Sequence, residues 1–452
     1  MSGTEPYQAR QVAVVGGGWA GCAAALELAS RGHTLTLYEA ARTLGGRARR
    51  VELDGRQLDN GQHILLGAYR ECLRLMRMTG IDPEQALLRL PLQMRYPIAG
   101  IDAGAGIDLR APRLPAPWHL AIGLLRARGL TRQEKLDLVR LFTSLRWMGW
   151  RLEHDCSVTE FLLQHGQGAR VVRLLWQPLC IAALNTAPEL ASAQVFLHVL
   201  RDSLGARRAA SDMLVPRVDL TALFPQQAAH FLERHGHAVQ MGANVTRITR
   251  TSNELRDQWQ VELANGASST YDAVILAVHP AQLAALAGSY WNGADFPVLA
   301  HEPIATCYLQ YDPQLRLPAP MLALADDATR NAWGQFVFDR GQLDPDQAGL
   351  LAVVVSTATP ALEQGQEQLA QGVARQLASQ FALPALAQPA WSKVVTEKRA
   401  TFSCTPNLQR PGNDSGAPGL LIAGDYTAGD YPATLEGAVR SGIDAARMLR
   451  AS

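Results

Sequence analysis

At 452 residues the chain exceeds the size at which one hydrophobic core stops growing, so two structural lobes are expected. Hydrophobic residues at 48% against charged residues at 18% exclude a disordered chain, and a formal net charge of +1 gives no global field to select nucleic acid. Cys22, Cys72, Cys156, Cys180, Cys307 and Cys404 lack the close spacing of a zinc site or a redox dithiol, so no metal is expected.

The opening MSGTEPYQARQVAVVGGG puts polar residues before a short apolar run, unlike a signal peptide, and a cytoplasmic location is expected. Gln11 to Val15 is a strand candidate. It leads into Gly16-Gly17-Gly18-Trp19-Ala20-Gly21 and an alanine- and leucine-rich helix, and HTLTLYEA then alternates to end on Glu39. Strand, helix and strand of this length imply parallel pairing. Gly16 allows the tight turn, Gly18 a close approach of backbone to a pyrophosphate, and Gly21 close helix–strand packing. The helix aims its free N–H groups at phosphate. Glu39 stands where a carboxylate would accept from a ribose hydroxyl. Together these residues predict a dinucleotide site.

Leu44-Gly45-Gly46-Arg47 offers a second close-approach glycine pair with a guanidinium suited to a pyrophosphate. Residues from about 81 to 205 read as mostly helical. Within them, Ala111 to Arg151 combines excess arginine with Trp118, Trp147 and Trp150, which suits either a helix at a headgroup boundary or a cap helix lining the core. Asn244 to Ile248 and YDAVILAV read as strands. Residues from about 291 to 390 mix the strand runs FVFDR and LLAVVVSTA with a helix around Glu363 to Ala382. GLLIAGDY is a last buried strand, before a helix opening between Tyr431 and Glu436. A discontinuous cofactor domain is expected from 8–80, 206–290 and 391–452, with 81–205 and 291–390 forming a substrate or cap domain. No stretch is apolar enough to span a membrane.

YEAARTLGGRARR resembles the family of flavin amine oxidases, protoporphyrinogen oxidases and phytoene desaturases. The resemblance implies an α/β fold, with a Rossmann-like FAD-binding domain of that type and a mixed α+β substrate domain. It makes FAD the cofactor and gives Gly46 and Arg47 a diphosphate role. AGDYTAGDYPATLEGAVRSG is similar to the family's flavin-closing motif, so Gly424 and Asp425 inherit contacts to ribitol and pyrophosphate. Thr434 then opens a helix facing the isoalloxazine ring, where its dipole would stabilise a reduced flavin. Val245 inherits a backbone contact to adenine. Cation-binding relatives place an aromatic where Thr434 stands, which disfavours an amine substrate. Cys404 lies near a covalent flavin attachment point of some relatives, and a free structural thiol is the expected reading.

LDNGQHILLGAY, EKRATFSCTPNLQRP and AGDYTAGDYPATLEGAV are similar to the squalene-associated FAD-dependent desaturase group. That resemblance implies reductive dehydroxylation of hydroxysqualene to squalene, with a long apolar isoprenoid in a tunnel and no nucleic acid as partner. Gly61 and Gln62 would approach the flavin ring. His63, Asp430 and Tyr431 are the candidates for the proton donor, and Asp59 is expected to be a structural cap. Two other readings remain open: an oxidative desaturase of a polyene, and a flavin-bearing carrier of prenyl intermediates without catalysis. No second complete glycine-rich dinucleotide motif occurs, so the sequence leaves the reductant unassigned.

Overall fold

In QVAVV the last four residues are all buried, the pattern of a strand covered on both faces. This strand, β1 (Gln11–Val15), sits in a five-stranded parallel sheet with β2 (Thr34–Glu39), β3 (Ala238–Met241), β4 (Ala273–Leu276) and β5 (Leu420–Ile422). The order is β3-β2-β1-β4-β5. Val12 pairs with Leu35 on one side and Ala273 on the other, so segments far apart in sequence meet at the sheet's centre. The computed structural model describes residues 9–102, 104–252, 257–290 and 298–449; the first eight residues, part of the opening segment read above, lie outside it.

Small residues let the layers close up. Helix α1 (Trp19–Ser30) buries ten consecutive residues from Trp19 to Leu28 between the sheet and α2 (Leu435–Met448). A Cβ on Gly21 would lie 1.8 Å from the Gly16 carbonyl oxygen, and one on Gly442 would lie 2.1 Å from that of Ala20. Any side chain at either position would push a helix off its neighbour.

An antiparallel sheet forms the second layer system, in the order Met321–Ala323, Phe336–Asp339, Leu350–Val355, His301–Gln310, Trp391–Phe402. Alternation sorts its faces. Val337, Leu351 and Val353 pack with Leu369, Val373 and Leu377 of the helix Gln366–Phe381, while Phe336, Phe338 and Tyr308 join the core on the opposite face. Trp391–Phe402 pairs wholly within this sheet, so segment 391–452 contributes to both sheets.

The region 81–205 is less uniformly helical than its pattern suggested. Besides the helices Trp118–Arg126, Arg132–Trp147, Val158–Gln164, Gln177–Leu184 and Ala193–Ser203, it holds the strands Leu87–Leu90, Gln93–Arg95 and Asp108–Arg110. Leu87–Leu90 pairs with Met213–Pro216, a non-local contact that periodicity within the segment does not report.

Candidate active site

A cavity of about 670 Å³ runs between the two sheets. At one end lie Gly16, Gly18, Glu39, Gly46 and Arg47; at the other lie Phe336, Phe338 and Val354 from the alternating face of the antiparallel sheet.

The glycine end is built for close backbone approach. Gly16 has φ +107°, and a Cβ there would lie 2.4 Å from the Ala277 carbonyl oxygen, so only glycine fits the turn off β1. Gly18 caps α1 without a side-chain bond, leaving the helix's first N–H groups free to meet an anion. The second glycine pair docks on the first. Gly45 N–H donates to the Gly17 carbonyl at 2.9 Å, and a Cβ on Gly46 would lie 3.2 Å from the Gly18 Cα. Side chains at these positions would fill the cradle that a diphosphate needs.

Glu39 closes this end. Its two carboxylate oxygens accept the N–H groups of Gly17 and Ala41, each at 2.7 Å, and the remaining lone pairs are available to ribose hydroxyls. Arg47 lies opposite, paired with Asp425 at 2.5 Å and donating to the Ala400 carbonyl at 2.7 Å. Val245 lines the same wall at the start of its strand. The residues fit a dinucleotide laid across the carboxyl ends of the parallel strands.

At the other end, Thr434 takes its expected place. Its hydroxyl accepts the Gly437 N–H at 3.1 Å, which makes it the N-cap of α2. Glu436, fully buried, accepts the N–H groups of Glu71 and Cys72 and the Nε–H of Arg440. The positive end of α2 is thereby held at the cavity wall. Gly424 N–H donates to the Ser441 hydroxyl at 3.0 Å, tying the Gly-Asp segment to the same helix.

Gly61, Gln62 and His63 line the middle of the cavity. Gly61 has φ +132°. Gln62 is nearly buried; its carbonyl accepts from Arg340 and its amide donates to the His63 carbonyl. His63 Nδ1 lies 2.8 Å from the Gly61 carbonyl, which can only accept, so the proton sits on Nδ1. Burial, aided by the Arg47 charge and opposed by that hydrogen bond, moves the His63 pKa below the usual imidazole range. With its proton on Nδ1, the neutral ring offers Nε2 as an acceptor.

Asp430 and Tyr431 do not reach the cavity, which corrects their expected role as proton donors. Asp430 is 56% exposed and pairs with Arg201 at 3.2 Å, while the Tyr431 hydroxyl donates to Asp202 at 2.8 Å beneath the Arg440 guanidinium. Both side chains turn toward the helix Ala193–Ser203, which supplies Arg201 and Asp202. Asp59 accepts the Leu220 N–H at 2.8 Å, at the first turn of a short helix whose N-cap is Asp219; burial raises the Asp59 carboxyl to about 7. Cys404 is buried off the cavity, its N–H donating to the Thr186 hydroxyl.

Sequence patterns had not singled out Asn60, Asn185 or Glu397, which also line the wall. Asn60 donates to Glu397 at 3.0 Å and to the Arg47 carbonyl. Asn185, in the left-handed region at φ +45°, donates to Thr401 at 2.9 Å. Asn185 comes from the inserted segment 81–205, where no local spacing marks it, and Glu397 opens the motif EKRATFSCTPNLQRP without a role assigned to it.

Residues 19–449 match the family described as flavin containing amine oxidoreductase. The chain is 28% identical to a hydroxysqualene dehydroxylase of Sinorhizobium fredii, over 97% of each chain. It is 24% identical to a zeta-carotene desaturase of Synechocystis, over 98% of this chain and 97% of that one. Among solved structures, an oxidoreductase from Methanosarcina mazei superposes with a TM-score of 0.73 at 14% identity, covering 97% of this chain and 100% of that chain. With the glycine cradle, the capped α2 and this near-complete match, the chain belongs to the flavin containing amine oxidoreductase family and is an FAD-dependent oxidoreductase.

Proposed function

We propose that this enzyme reductively removes the allylic hydroxyl of hydroxysqualene to give squalene. The observation that carries the reading is the apolar wall made by Ile304, Phe336, Phe338 and Val354, which faces the FAD-binding wall across the cavity. Such a wall suits a long hydrocarbon and keeps water from an allylic cation. The Sinorhizobium fredii relative supports this choice of substrate. Bound reduced FAD would supply the hydride that replaces the hydroxyl and, on its reoxidation, the proton with which the hydroxyl leaves as water. Neutral His63 presents Nε2 to the substrate hydroxyl and orients the C–O bond. Gln62, held by Arg340, keeps that loop in register.

The Synechocystis relative favours a second reading, oxidative desaturation of a polyene in the same cavity. One assay separates the two. Chemically reduced enzyme mixed anaerobically with hydroxysqualene should re-oxidise its flavin and yield squalene. Inert reduced enzyme, with oxidised enzyme dehydrogenating squalene or phytoene, would establish the desaturase instead.

We further propose that this enzyme meets its substrate at an anionic membrane surface. No described helix is long and apolar enough to cross a membrane. Yet Trp118 is 63% and Trp147 87% exposed, and Leu136, Thr143 and Trp147 align on the outer face of one helix. Arg113, Arg126, Arg132, Arg140 and Arg146 of the same stretch are exposed as well. Apolar insertion and basic attraction act together at a headgroup boundary. Trp150 does not join this face: it packs inward, 2.8 Å from where a Cβ on Gly205 would stand.

A further inference from the structure

Two buried polar atoms on the cavity wall have no hydrogen-bond partner among the described residues: Nε2 of His279 and the hydroxyl of Tyr426. His279 lies outside the quoted motifs, and Tyr426, though it follows Asp425 in the flavin-closing motif, has no contact assigned to it above. A buried donor without an acceptor is costly, so each calls for one that the protein does not supply.

The tautomer of His279 follows from its position. It is the N-cap of the helix Pro280–Ala287, and its Nδ1 accepts the Ala281 N–H at 3.2 Å. An accepting Nδ1 leaves the ring proton on Nε2, so the orphaned atom is a donor. Burial first, then the charges of Arg47, His301 and Arg399, lower the His279 pKa to about 4 against a smaller opposing effect of Asp425, and the ring stays neutral. Tyr426, only 3% exposed, is fixed in a different way. Its ring folds over Gly424, where a Cβ would lie 2.3 Å from the ring edge. Its phenol is held protonated by burial, reinforced by the Asp425 charge.

Both donors belong to the phosphate end of the cavity. His279 comes three residues after β4, and the intervening Ala277 is the residue a Cβ on Gly16 would strike. Tyr426 directly follows Asp425, the partner of Arg47. Two neutral donors and one guanidinium thus line the same cavity as the glycine turn. The flavin's diphosphate is the part of the cofactor made of acceptors alone, and neutral donors suit it without adding charge that Asp425 would have to balance. We infer that His279 Nε2–H and the Tyr426 hydroxyl donate to the diphosphate oxygens of bound FAD.

The test uses His279→Asn, which keeps an N-cap acceptor for Ala281 but is too short to carry a donor to the Nε2 position, and Tyr426→Phe, which keeps the ring packed on Gly424. FAD dissociation on dilution of the holoprotein should rise roughly ten-fold or more for each variant. The ³¹P resonances of the bound diphosphate should move, while the visible absorption of the isoalloxazine ring stays unchanged. A folded but colourless variant, judged by circular dichroism, supports the assignment if riboflavin binding persists. Unchanged FAD affinity in both variants overturns it. So does a shifted flavin absorption spectrum with unmoved phosphorus resonances, which would place the donors against the ring.

Discussion

Arg47 Nη2 lies 2.5 Å from Asp425 Oδ1, although 378 residues separate them. Asp425 is almost wholly buried and Arg47 about one-third exposed, so the two ends of the pair differ in what they lose when the other is removed. Arg47 keeps water and the Ala400 carbonyl; Asp425 keeps a buried charge with fewer partners.

Arg47→Ala should therefore destabilise the protein more than Asp425→Ala. Removing the partner of a buried carboxylate costs on the order of 3 kcal/mol at most, discounted here for the exposure of Arg47. Thermal unfolding of both variants and of the double variant would measure the coupling. Both single variants should also release FAD more readily in a dilution assay, and full flavin retention in both would remove the pair from the cofactor site.

Asp430→Asn and Tyr431→Phe should change turnover less than about three-fold, because their side chains face Arg201 and Asp202 rather than the cavity. A loss in the range of about 10²–10⁴-fold would instead return one of them to the proton-transfer role.

His63→Ala should slow turnover by about ten-fold with FAD still bound, the scale of losing one orienting hydrogen bond. The pH profile gives the sharper check. A general acid with the ordinary imidazole pKa would speed the reaction as pH falls from about 8 to 6. Because burial depresses the folded His63 pKa, any such gain should be displaced to lower pH than for an ordinary imidazole. The same depression makes His63 a stabilising contributor above the unfolded imidazole pKa, and that contribution is lost as pH falls toward the folded value. Melting temperature should fall less steeply between pH 7 and 5 in His63→Ala than in the unaltered protein.

Replacing Trp118 and Trp147 by Ser should reduce co-sedimentation with vesicles containing anionic lipid by about ten-fold, while the same change at Trp150 should lower thermal stability instead. Equal sedimentation of the Trp118 and Trp147 variants with the parent protein would leave these side chains without a membrane role.

Local chemistry explains how much could be read from the chain itself. Gly16, Gly18, Gly21, Glu39 and Gly46 were legible because turns, close approaches and strand ends impose residue types within a few positions of one another, and all five stand where that spacing put them. The same holds for Thr434, whose cap depends on a residue three positions on. The directions of Asp430 and Tyr431 were decided by Arg201 and Asp202, contributed by a distant helix, and motif adjacency carries no information about such partners. Likewise Trp147 and Trp150 share one composition, yet only packing against the segment around Gly205 turns the second inward. The sequence by itself determined the glycine cradle, which rests on short-range backbone constraints, and its motif resemblance gave the cofactor class and the family. The tertiary structure alone decided which charged and aromatic side chains face the cavity, because that depends on long-range partners and on desolvation.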